Sequence, residues 1–193
     1  MAETLSTFSL KPGDSAPSFE LPAPDGSLHG FDQVKGASGT LVVFACNHCP
    51  FVVMLAEVFG RFAEDLKLKD IGVVAISAND VEKYPQDGPD KMDEFAAEYA
   101  WNFPYLYDES QEVAKAYGAA CTPDFFLFDQ NDQLYYAGQF DHVRPGSGKE
   151  PNGSDMRNAV ESMLTGQSPP SRQLPSSGCN IKWKPGNAPS YFG

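Results

Sequence analysis

The sequence predicts an α/β fold with a central mixed sheet flanked by helices, and three observations predict it. Short β-rich apolar runs at residues 40–45 and 71–77 enclose a long stretch of helical period at 50–67, and such a strand, helix, strand unit needs a crossover between parallel strands. Two later strand-like runs, 124–128 and 133–140, flank the polar turn Asp129-Gln130-Asn131-Asp132 and read as an antiparallel hairpin. With 193 residues the chain has the length of one domain plus an appendage. We place the domain at residues 1–166, N-terminal β-hairpin included, and an extended C-terminal tail packing on it at 167–193.

Each element has its own local reason. Residues 16–21 and 27–31 alternate around Pro24-Asp25-Gly26, an Asp-Gly turn that predicts a short hairpin covering one side of the sheet. Residues 40–45 are apolar throughout, as in a strand buried on both faces. Phe51, Leu55, Val58, Phe59, Phe62 and Leu66 then recur at helical spacing over 50–67. A Pro/Gly-punctuated loop at 84–89 leads to a helix whose stripe is Met92, Phe95, Ala96 and Tyr99, and 103–107 reads as a short strand. Ser110 as N-cap and Gly118 as C′ residue bracket a brief helix through Val113, Ala114 and Tyr117. After the late hairpin a last helix starts from a Ser154 cap and runs through Met156, Ala159, Val160, Met163 and Leu164 to Gly166. Beyond it the chain is Pro/Ser/Gly-rich and has little periodicity.

Composition excludes several function classes. Asp and Glu number 26 against 14 Lys and Arg, a formal charge of −12, which disfavours phosphate backbones and anionic lipid, so no nucleic-acid or membrane partner is expected. No apolar run is long enough to span a bilayer, and residues 1–13 lack a basic leader or apolar h-region, so a cytoplasmic globule is the expectation. Four cysteines are too few for a disulfide scaffold and fit redox chemistry, metal binding or packing. Gly146-Ser147-Gly148-Lys149 fails as a phosphate loop, because Val143 stands where its first glycine belongs and Glu150 replaces Ser/Thr. Asp87, Asp90, Asp93 and Glu94 read as a solvated helix start, and His142 and Arg144 as solvated loop residues, with ligand binding as the alternative for both.

Chemistry concentrates at Cys46-Asn47-His48-Cys49-Pro50, where the first core strand gives way to the long helix. Pro50 suits the first helical position, which puts Cys49 at or beside the N-cap. A helix N-terminus and a neighbouring imidazolium both stabilise a thiolate, the reactive form of cysteine. Cys49 is therefore the candidate nucleophile, with His48 or the helix terminus holding its charge, and the role requires a sulfur within reach of solvent. Cys46 is the nearest candidate to resolve a mixed disulfide, an i, i+3 pair being able to close one across a turn. Its bland alternative is a buried small hydrophobe.

The order β-α-β-α-β-α-β-β-α, with cysteine at the first strand-to-helix corner and an X-Pro bond entering the late hairpin, resembles the thioredoxin fold. Ala16-Pro17-x-Phe19-x-Leu21 with Asp25-Gly26 resembles the opening of the peroxiredoxin (alkyl hydroperoxide reductase/thiol-specific antioxidant) superfamily. Cys46-Asn47-His48-Cys49-Pro50 with Gly178-Cys179-Asn180-Ile181-Lys182-Trp183-Lys184 is similar to its peroxiredoxin-like branch. The resemblance implies a thiol-dependent oxidoreductase that reduces disulfides or peroxides, needs no cofactor and is recycled by an external thiol reductant of thioredoxin or glutathione type; a homodimer would be in keeping with it. It further implies that Thr122 and Pro123 bind the substrate backbone, with a cis-proline facing the redox cysteine. Cys121 and Cys179 are further resolving candidates, each with packing as its bland alternative, and Trp183 would anchor a tail folded over the corner. Two departures stand out: the CxxC spacing lies three residues upstream of the usual thioredoxin position, and the peroxiredoxin pattern Pro-x-x-x-Thr-x-x-Cys is absent, Val42 and Cys46 standing at its Pro and Thr positions.

Two other classes compete with the oxidoreductase. Cys46, His48, Cys49 and Cys179 are soft ligands for zinc or copper, although a single CxxC is a weak metal signal. A redox-inactive binding protein on the same fold is the third class.

Overall fold

A computed structural model describes residues 3–192. Its central sheet is built from β4 (Gly39–Phe44), β5 (Ile71–Ser77), β6 (Tyr105–Tyr107), β8 (Asp124–Asp129) and β9 (Leu134–Gly138). β4 pairs antiparallel with β8 and β8 with β9, while β5 pairs parallel with β6. β4 and β5 lie side by side, with Ala45 N donating to Ile76 O at 2.9 Å. The sheet is mixed, as the sequence predicts.

Alternation along β4 divides the core in two. Leu41 and Val43 turn to one face and pack with Val52, Leu55, Phe59, Phe62 and Leu66 of α2 (Pro50–Lys67), Phe95 of α3 (Pro89–Glu98) and Ala159 and Val160 of α5 (Ser154–Leu164). Val42 and Phe44 turn to the other, against Phe31 and Val34 of α1 (Phe31–Val34), Ala114 and Tyr117 of α4 (Glu112–Tyr117), and Phe19 and Leu21 of the N-terminal segment. Every residue of β4 is buried, as its unbroken apolar run requires. α2 lies close to the α3 end: a Cβ on Gly60 would stand 2.4 Å from Tyr99 O, so only glycine permits that approach.

The N-terminal hairpin is present as β2 (Glu20–Pro22) and β3 (Leu28–Gly30), closed through the Asp25-Gly26 turn, with Gly26 at φ +83°. Several boundaries differ from the sequence reading. Gln111, at φ +66°, takes the N-cap place expected for Ser110, whose hydroxyl instead accepts from Glu112 N at 3.2 Å. Gly153 caps α5 and Ser154 becomes its first helical residue. Arg144 is half-buried and donates to Asp141 O, Val143 O and Gln139 Oε1, whereas a solvated residue is expected there.

The largest difference lies in the tail. The tail shows little periodicity, and a buried strand or loop at Cys179 is only the bland alternative there; its residues form β10 (Ser177–Asn180), the middle strand of a second sheet between β1 (Glu3–Leu5) and the two-residue β7 (Cys121–Thr122). Registers are Glu3 to Cys179 on one side and Cys179 to Thr122 on the other. Among the described residues no helix is long and apolar enough to cross a membrane.

Candidate active site

Cys49 is the N-cap of α2, with Pro50 at the first helical position, as the local sequence dictates. Its sulfur lies 3.0 Å from the carbonyl oxygen of Thr122, at the end of β7, and the Thr122–Pro123 bond is cis. Thr122 Oγ1 also lies 3.4 Å from Cys46 Sγ. The fold thus brings Cys46, Cys49, Thr122 and Pro123 together from segments more than seventy residues apart.

Cys179 joins them from the tail. It lies in register with Thr122, and its side chain and backbone both act to lower the Cys49 thiol. Cys121 does not share in this: its thiol points to Pro123 O at 3.6 Å, and burial first, then the Asp124 charge, push it up.

The cysteines at the corner divide one charge unequally. The Cys49 thiol is pulled down to about 5, first by the hydrogen bond from Cys46, then by Thr122 and Cys179, against the opposing effect of burial. The N-terminus of the eighteen-residue helix it caps acts in the same direction. The Thr122 carbonyl, an acceptor, favours the thiol form, but the donor groups around the sulfur outweigh it. Cys46 is pushed up, first by its hydrogen bond to Cys49, then by burial and the charge of Asp87. Cys179 is pushed up to about 12, by burial and then by Cys49. One thiolate sits among thiols that stay protonated.

Two expectations are corrected. The nucleophile role of Cys49 requires a sulfur within reach of solvent, and this structure does not meet that condition: its exposure is 0%, with Cys46 at 1% and Cys179 at 3%, so attack on any substrate needs the cover of β10 and the Thr122–Pro123 turn to open. His48 was one of two candidates, beside the helix terminus, to stabilise Cys49, but its Nδ1 is paired with Asp87 Oδ2 at 2.6 Å and lies 4.0 Å from Cys46 Sγ, and its ring stacks on Tyr84.

Asp87 is the residue the sequence reading misplaces. It is fully buried, while Asp90, Asp93 and Glu94 are exposed as expected. Its carboxylate accepts from Asn47 N at 2.9 Å, His48 N at 3.3 Å, His48 Nδ1 and Asn79 Nδ2 at 2.8 Å, which fixes the backbone of the Cys46–Cys49 loop. Tyr105 OH donates to Asn47 Oδ1 at 3.0 Å and completes the clamp. The only sequence signal is position: Asp87 closes a Pro/Gly loop just before a helix, as many solvated aspartates do.

The Redoxin family profile matches residues 11–154. This chain belongs to the Redoxin family. The redoxin is 45% identical to an uncharacterized conserved protein of Geobacillus kaustophilus of known structure, with a TM-score of 0.92 over 96% of this chain and 98% of that one. It is 28% identical to peroxiredoxin Bcp of Escherichia coli K12 over 56% of this chain and 65% of that protein. A secreted Mycobacterium tuberculosis disulfide oxidoreductase shares the fold at 15% identity, with a TM-score of 0.56 over 75% of this chain and 95% of that one. Family and fold agree on a thiol-dependent redox protein with a thioredoxin-like, peroxiredoxin-like architecture.

Proposed function

We propose that this redoxin reduces peroxides or disulfides through Cys49, and the observation that carries the reading is the thiolate at the α2 N-cap, ringed by the thiols of Cys46 and Cys179 and by Thr122. With a peroxide, the Cys49 sulfur attacks one oxygen, the O–O bond breaks, and the leaving alkoxide or hydroxide takes up a proton. Cys49 becomes a sulfenic acid as the peroxide gains two electrons. Cys46 then attacks that sulfur, an S–S bond forms, and the hydroxyl leaves as water with the Cys46 proton. With a disulfide, Cys49 forms a mixed disulfide and Cys46 displaces the second thiol. Two equivalents of an external thiol restore both cysteines, and of the thioredoxin and glutathione types expected the low-molecular-weight one fits the covered site. Cys46 suits resolution because it lies in a loop, whereas Cys179 is held in β10 between two strands. The expectation that Thr122 and Pro123 bind a substrate backbone is revised in this scheme: the Thr122 edge is paired with Cys179 of β10, and its oxygens face Cys49 and Cys46.

Stopped-flow peroxide reduction and reduction of a small disulfide, each compared with Cys49→Ser, test the reading. Loss of both activities in the variant supports it, and undiminished turnover rejects it. Cys46→Ser should stop the cycle after one oxidation and leave a sulfenic or mixed-disulfide adduct at Cys49, read by intact mass.

A metal-binding reading has one observation in its favour: Cys46 Sγ, His48 Nδ1 and an Asp87 oxygen lie within 4.8 Å of one another. The ligand set differs from the sequence expectation, with Asp87 in place of Cys49 and Cys179. It ranks second because Asp87 already accepts four hydrogen bonds, one of which a metal would have to replace. Elemental analysis of protein purified without added metal decides, a stoichiometric ion raising it to first place.

A further inference from the structure

We infer that β10 permanently fills the edge on which a polypeptide would dock beside Cys49, so that the oxidants and reductants of this site are small molecules, hydroperoxides and low-molecular-weight disulfides and thiols, rather than protein chains. The inference rests on Cys49 being the nucleophile.

The backbone nearest the sulfur is that of β7, with Thr122 O 3.0 Å from Cys49 Sγ. A protein segment that delivers its own cysteine to Cys49 in extended form has to hydrogen-bond to this edge, by strand addition. β10 already does so, in the register that sets Cys179 opposite Thr122 and Asn180 opposite Cys121. The fit is tight: a Cβ on Gly178 would stand 1.9 Å from Thr122 O. Nor is the outer edge of β10 open, since β1 pairs along it from Glu3 opposite Cys179 to Leu5 opposite Ser177.

Both ends of β10 are fastened. Upstream, Ser176 Oγ donates to Gly138 O at 2.7 Å and Ser176 O accepts from Ser6 N at 3.0 Å. Downstream, Ile181 N donates to Ala120 O at 3.1 Å, Lys182 N to Asn79 Oδ1 at 2.8 Å, and Lys182 O accepts from Asp80 N at 2.8 Å and Gln111 Nε2 at 3.0 Å. Ile181 is buried in the core. Near Pro123 the remaining recess, lined by Phe51, Met54, Phe140 and Ser177, measures about 20 Å³, room for a molecule the size of water. A peroxide needs far less of this cover to move than a polypeptide, which needs β10 to leave.

The chemistry is that of the proposed cycle. A small disulfide RS–SR takes the Cys49 sulfur, one RS⁻ leaves and is protonated, and Cys46 then expels the second as RSH, its own proton neutralising the leaving thiolate. Two molecules of a small thiol reverse the resulting Cys46–Cys49 disulfide by the same exchange, and are themselves oxidised to RS–SR.

The test compares two disulfides on the full chain: bis(2-hydroxyethyl) disulfide and the disulfides of insulin, each also reacted with free 2-mercaptoethanol to give the intrinsic ratio. If local opening supplies only a small reactive fraction to chains, the protein prefers the small disulfide by ~100-fold or more beyond that ratio. In Gly178→Ala the added Cβ meets Thr122 O, β10 loosens and the preference shrinks. A wild-type ratio equal to that of the free thiol overturns the inference, whatever the variant does. Inertness of Cys49 to both disulfides and to hydrogen peroxide overturns the nucleophile reading, and this inference with it.

Discussion

At the scale of single residues the site depends on which groups donate to which sulfur. Cys49 receives hydrogen bonds and keeps the charge; Cys46 gives one and stays protonated. Asp87 sets this order by pinning the loop backbone and by placing its own charge near Cys46. Asp87→Asn keeps the shape but turns an acceptor for four donors into one with a single oxygen, stranding at least one buried N–H. We expect a loss of about 1–3 kcal/mol in urea unfolding, and an unchanged midpoint would show that the clamp is dispensable. Cys49 and Pro50 were legible in sequence because helix-start signals are local. Asp87 was not, because its partner His48 lies 39 residues away and nothing in the intervening chain marks the pairing.

At the scale of elements, β10 is the piece that makes the site closed. Ser-Gly-Cys-Asn has neither β-branched residues nor alternation, so no propensity announces a strand; it becomes one because β1 and β7 offer edges on either side. α2, by contrast, reads from its sequence with its bounds and most of its stripe, since Leu55, Phe59, Phe62 and Leu66 are buried at the helical period, while Phe51 and Val58 are only partly buried and Val52 joins the buried face. The same junction holds a titrating group. Asp124, at the start of β8, accepts from Ser6 Oγ at 2.6 Å and Ala120 N at 3.1 Å, and burial raises its carboxyl from 3.8 to about 6. The folded state therefore keeps a proton that the unfolded chain releases between pH 4 and 6. Stability from this group falls as pH rises through that window. Relative to Asp124→Asn, the wild type should lose on the order of 1–3 kcal/mol between pH 4 and pH 7 in urea titrations; a pH-independent difference between the two proteins would contradict the burial of this carboxyl.

At the scale of the molecule, the mixed sheet and its two cores were readable because β4, β5 and α2 carry strong, uninterrupted patterns. The union of the tail with the rest was not, because it rests on backbone pairing and on a few contacts such as Ile181, which sits in the core beneath the second sheet. We propose that residues 167–192 fold with the domain as one unit. Ile181→Ala should then lower global stability by about 2–5 kcal/mol while unfolding stays a single transition by fluorescence and circular dichroism. An unshifted midpoint, or a second transition, would make the tail a separate body. What the assembled molecule achieves is a thiolate kept charged while covered, poised by its donors rather than by exposure. The most direct test is the far-ultraviolet thiolate absorbance of the full chain, taken as the difference between wild type and Cys49→Ser across pH. The account predicts that one thiolate appears with a midpoint near 5 and is lost below it; a midpoint at the ordinary value of 9.0 or higher would contradict it.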